Sequence, residues 1–83
     1  MNFQHFIEWL FGSKDLIISR EEAISIARNE CKKRNWAWQL PVKVQLRFGV
    51  WVIQSNWGRR GMNARIVIDQ KTGEVIKAIY LPR

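Results

Sequence analysis

An α+β fold, with helices first and a four-stranded antiparallel meander after them, follows from three observations. Apolar residues in the N-terminal half recur at helical spacing. From Val42 onward they alternate with polar ones, the period of half-buried strands. The connections between the alternating runs are shorter than the dozen or so residues a parallel crossover needs. With 83 residues and 47% apolar content, the chain has material for one core, so residues 1–83 are expected to form a single domain.

The first element is an amphipathic helix within residues 1–12, with Phe3, Phe6, Ile7 and Leu10 on one face and Gly12 as its stop. Too short to hold alone in water, it is expected to dock on the protein's own core. After a linker, Ser19-Arg20-Glu21-Glu22 matches the capping box, in which Ser and Glu satisfy each other's free backbone N–H groups. A long helix is predicted over 20–34. Its apolar stripe is Ala23, Ile24, Ala27 and Cys31, acids fill its first turn, and Lys32, Lys33 and Arg34 fill its last. Asn35 suits the left-handed stop.

In the first strand Val42, Val44, Leu46 and Phe48 alternate with Lys43, Gln45 and Arg47. Gly49 permits a tight reversal into a second, more apolar strand over 50–55. Here Val50 and Val52 on one parity and Trp51 and Ile53 on the other are all apolar, so pattern alone leaves open which pair meets the helix. Residues 56–63 read as a loop from their glycines and asparagines. Strands over 64–69 and 74–80 follow, joined by Asp69-Gln70-Lys71-Thr72-Gly73, and Pro82 ends the sheet.

Catalysis is not expected. His5 and Cys31 are the only histidine and cysteine, which removes intrachain disulfides, cysteine-based metal clusters and most triads. Cys31 lies on an apolar stripe, where a buried, inert thiol is the simplest reading. Glu21 and Glu22 are explained by the helix cap, and Asp69 and Glu74 by the turn they flank. Gly58-Arg59-Arg60-Gly61 lacks the Lys-Ser/Thr that follows a phosphate-cradling loop. No cofactor or metal is expected. The longest N-terminal apolar run is Trp9-Leu10-Phe11, short of a signal-peptide core or a membrane span, and a cytoplasmic setting is the default.

Binding is the informative theme. The formal net charge is +7, and no acid stands between Glu30 and Asp69. Lys32, Lys33, Arg34, Lys43, Arg47, Arg59, Arg60 and Arg65 all fall in that interval. The helix dipole accounts for the first three, and Lys43, Arg47 and Arg65 read as the solvated side of strands. Arg59 and Arg60, in a loop that also holds Trp57, are left unexplained by folding. Trp57, Arg59 and Arg60, with Trp36 and Trp38 beside the basic helix end, are therefore the candidate partner-binding residues. Trp and Arg together dominate protein–protein hot spots, which favours an acidic protein surface as partner. Nucleic acid is the second choice, because aromatic stacking beside phosphate-pairing cations uses the same residues. Nothing suggests a membrane partner.

Ile18-Ser19-Arg20-Glu21-Glu22-Ala23-Ile24-Ser25-Ile26-Ala27, then Val50-Trp51-Val52-Ile53, then residues 65–76 with Asp69-Gln70-Lys71-Thr72-Gly73-Glu74-Val75 resemble the PepSY family in order and spacing. The resemblance spans about residues 18–80. It implies a helix laid on an antiparallel sheet in a non-catalytic module. Such modules serve as inhibitory propeptide segments of thermolysin-type proteases and as extracytoplasmic regulatory domains. The size and the helix-then-sheet order also look like small bacterial immunity proteins that neutralise a toxin domain. The expectation is a protein that binds, and regulates or inhibits, another protein.

Overall fold

The computed structural model describes residues 17–82, and the amphipathic helix expected within 1–12 lies outside them. One helix, α1 (Arg20–Lys33), is followed by β1 (Lys43–Arg47), β2 (Val50–Gln54), β3 (Asn63–Asp69) and β4 (Val75–Leu81). The four strands form one antiparallel sheet in the order β1-β2-β3-β4. The class is α+β, as the change of period from helical to alternating requires.

Local chemistry sets both ends of α1. The Glu22 backbone N–H donates to Ser19 Oγ at 3.1 Å, and the Ser19 N–H donates to Glu22 Oε1 at 2.8 Å, completing the capping box. At the other end Asn35 takes a left-handed φ of 63°. The Trp36 N–H then reaches Cys31 O at 2.8 Å, and the Asn35 N–H reaches Lys32 O at 3.1 Å, the paired bonds of a Schellman stop. The reversal carries Trp36 back towards the sheet. The inward side of α1 is Ala23, Ala27 and Cys31, each fully buried, and the two alanines let the helix axis come close to the strands.

Glu30 is also buried, at the edge of that stripe. Arg34 Nε donates to its carboxylate at 2.6 Å and Lys33 Nζ lies 3.4 Å away. The Arg34 hydrogen bond outweighs burial and holds the Glu30 carboxyl below the usual carboxylate range. Cys31 is free and buried, and desolvation pushes its thiol up, so it is not a thiolate at neutral pH.

Register decides which residues form the core. Val44 pairs with Ile53, Ile53 with Ile66 and Ile66 with Ala78, while Trp51 pairs with Ile68. Directly opposed residues share a face, so Trp51 and Ile53 are the pair that meets the helix. Ile53, Ile66 and Ile68 are fully buried with Ile18 and the stripe of α1. Trp51 is half-buried, and its indole N–H donates to Ile18 O at 2.8 Å, tying the start of the helix to the sheet.

The alternation expected to run through Phe48 stops at Arg47. Phe48 and Gly49 instead form the two-residue turn between β1 and β2, both with positive φ (49° and 80°), and the Phe48 side chain is fully exposed. A two-residue antiparallel hairpin needs this mirror-image turn to match strand twist, so the turn takes the last apolar residue of the run. At the β3–β4 turn the Asp69 carboxylate accepts from the Lys71 and Thr72 N–H groups at 2.7 and 3.1 Å, and Gly73 supplies the positive φ of 78°. Past this turn the pairing shifts by one residue, leaving Ile76 as an exposed bulge on β4.

Candidate functional site

The β2–β3 connection is held by its own asparagines. The Asn56 N–H donates to Gln39 O at 2.7 Å and the Trp57 N–H to Pro41 O at 2.9 Å, so the loop is tied to the segment before β1. The Asn56 side-chain amide is buried and donates to Gly61 O at 2.9 Å. The Asn63 amide donates to Asn56 O at 2.7 Å and to Arg59 O at 3.1 Å. Ser55, buried beneath, accepts the Ala64 N–H on its hydroxyl at 3.1 Å. Four loop residues have left-handed backbone: Asn56, Gly58, Gly61 and Met62. Asparagine and glycine are the residues that tolerate it, which is why the loop's composition reads as it does.

This scaffold places Trp57 at the corner of a turn closed by the Arg59 N–H on Asn56 O at 3.2 Å, with Gly58 at φ 83°. The indole is 45% exposed, and Lys43 Nζ lies 3.9 Å from its ring centroid. Lys43, Gln54, Arg65 and Ile79 form one row across all four strands, on the sheet face opposite α1. Over this row a shallow groove of about 350 Å³ opens, walled by Trp57 and Arg59 on the loop side and by Arg65, Ile79 and Leu81 on the strand side. Arg59 and Arg65 are exposed, and among the described residues no Asp or Glu lines the groove.

Of the five residues singled out from sequence, Trp57 and Arg59 share this groove, and Arg60 is exposed beside it on the same loop. Trp36 and Trp38 belong elsewhere, half-buried against the core. Trp36 stacks on Tyr80 with centroids 5.2 Å apart and planes inclined by 12°, and the Arg34 guanidinium lies 5.1 Å from the Trp36 ring. Arg65, Lys43, Ile79 and Leu81 were not candidates from sequence. Lys43, Arg65 and Ile79 each read locally as one residue of a half-buried strand and Leu81 as the residue just past one, and only strand pairing brings the first three to one row with Leu81 beside it.

Among the described residues, no group of three or more His, Cys, Asp or Glu could hold a metal ion. No described helix is long and apolar enough to cross a membrane. No protein-family model matches the chain, and no curated protein or solved structure matches it either.

Proposed function

We propose that this protein is a non-catalytic, PepSY-like cytoplasmic module that binds an acidic surface of another protein and so regulates or inhibits it. One observation carries the reading: Trp57 and Arg59, on a loop held by asparagine side-chain bonds, meet Arg65 of β3 in a groove whose described walls hold no acid. Such a loop loses little conformational freedom on binding, so more of its contact energy appears as affinity. Trp and Arg are the residues that anchor interfaces, and a cationic rim speeds encounter with an acidic partner.

The nucleic-acid alternative draws on the same charges but needs open aromatic faces for stacking. Lys43 lies over Trp57, and Tyr80 and Arg34 lie against Trp36, which favours the protein partner.

Affinity capture with wild-type protein and with a Trp57→Ala, Arg59→Ala, Arg60→Ala variant tests the proposal. A specific protein partner lost by the variant is the expected result. Retention of every wild-type partner by the folded variant overturns the placement. Filter binding that retains RNA or DNA, with affinity falling steeply with salt, would transfer the function to nucleic acid.

A further inference from the structure

One wall of the groove, Ile79 and Leu81, belongs to β4, the last strand in the sheet order. Among the described residues β4 pairs only with β3, so the backbone N–H and C=O groups on its other edge have no strand partner there. Sheet edges are usually guarded by charge, by proline or by bulges. Here the guards sit at the two ends of β4, with the Ile76 bulge at one and Pro82 at the other. Between them lie Lys77, Ile79 and Leu81, paired with Val67, Arg65 and Asn63, on the sheet face that carries the groove. All three side chains are exposed, and Ile79 and Leu81 line the groove itself. The face therefore offers the cations Lys77, Arg65 and Arg59 beside a strand edge that no other described strand covers.

From this juxtaposition we infer that the partner enters as an extended segment with alternating acidic and apolar residues, adding a fifth strand along β4. Its backbone pairs with the β4 edge. Its carboxylates stand on the groove face, beside Lys77, Ile79 and Leu81 and towards Arg65 and Arg59, and its apolar side chains stand on the opposite face, beside Ala78 and Tyr80. Strand addition draws affinity from main-chain bonds and specificity from alternate side chains, and β4 supplies both. Charge decides against a second copy of this chain as occupant. Each chain carries a net +7, and β4 against β4 would bring like charges together without an acid to offset them. The inference rests on the groove reading above and specifies the partner's conformation.

A fluorescein-labelled peptide of four Glu-Val repeats, titrated with the full chain and followed by fluorescence anisotropy, tests it. Saturable binding that weakens with salt is expected. An Ile79→Glu variant is expected to lose about tenfold or more, since it sets a carboxylate against the incoming acids. Two peptides of the same composition leave the protein untouched: one with the glutamates and valines in separate blocks, one N-methylated at alternate residues along the edge meant to face β4. Both are expected to bind at least about tenfold more weakly, because one loses alternation and the other its main-chain donors.

Equal binding of the N-methylated and parent peptides overturns strand addition, as does no binding of the parent at low salt. A dimer by light scattering that Ile79→Glu converts to monomer gives the edge to a second copy and also overturns it. If the captured partner is lost by the loop triple variant but kept by folded Ile79→Glu, the groove reading stands and the strand inference alone falls.

Discussion

The two faces of the sheet are built from the same strands, yet they are made for different purposes. Under α1, Ile53, Ile66 and Ile68 are fully buried, and Trp51 donates its indole N–H to Ile18 O. On the opposite face Gln54 and Arg65, the sequence neighbours of Ile53 and Ile66, remain accessible beside Trp57 together with Ile79 of β4. The tryptophans make the contrast plainest. Trp51 has its polar atom satisfied inside the molecule, and Trp57, six residues on, is held out at a turn by a loop that is itself rigidly bonded. Burial under α1 supplies stability, and the part of the other face beside Trp57 stays accessible, although Val52 on that face is buried too.

Truncation on the buried face should have the largest effect on stability. Ile66→Ala is expected to cost about 2–5 kcal/mol in urea unfolding, because a fully enclosed site between α1 and the sheet cannot collapse around the lost atoms. Ile79→Ala, one strand over on the open face, should stay within about 1 kcal/mol of wild type. Equal costs at the two positions would break the comparison.

Asn63→Ala comes next. It removes the amide that joins Asn56 O and Arg59 O, so a loss of about 1–3 kcal/mol is expected. Amide hydrogen exchange should quicken in residues 56–62 while α1 keeps its protection. Uniform loosening would show that the loop is not an independently organised unit.

Ser19→Ala should cost about 1 kcal/mol through loss of the helix cap, read from the shift of the urea midpoint at unchanged slope.

The smallest effect concerns pH. Glu30 titrates below its usual range when folded, so its stabilising contribution is fully present above the unfolded carboxylate pKa of roughly 4.3. That contribution is lost as pH falls through the lower folded value. Glu30→Gln should therefore show a shallower loss of stability on acidification than wild type, measured by thermal melts between pH 7 and pH 3. A steeper loss would reverse the sign and place the ion pair with Arg34 in doubt.

Much of the fold is legible in local chemistry. The capping box at Ser19 and the left-handed stop at Asn35 define a helix within a residue of its observed ends, because both act through bonds no more than five residues apart. The Asp69–Gly73 turn is equally local, with one carboxylate meeting two neighbouring N–H groups. Phe48 marks where pattern reading stops. Hydrophobic alternation assigns it to a strand, and the geometry of a two-residue hairpin overrides the alternation.

The site divides along the same line. Trp57, Arg59 and Arg60 stand out in sequence because a basic, aromatic loop has no folding role to explain it. Lys43, Arg65 and Ile79 do not, since each looks like one residue of a half-buried strand. Their row exists only through pairing between residues far apart in the chain. Trp36 and Trp38 share the composition of the loop, but tertiary packing brings them against the core and sets Trp36 on Tyr80.

By itself the sequence determined the element types, the caps, the turns and the concentration of charge in the middle of the chain, all of which act over a few bonds or by simple counting. Which of Trp51 and Val52 meets the helix, which cations share a groove, and which strand lies last in the sheet were decided only in three dimensions. A strand's faces and neighbours depend on register, and register is a property of two strands together.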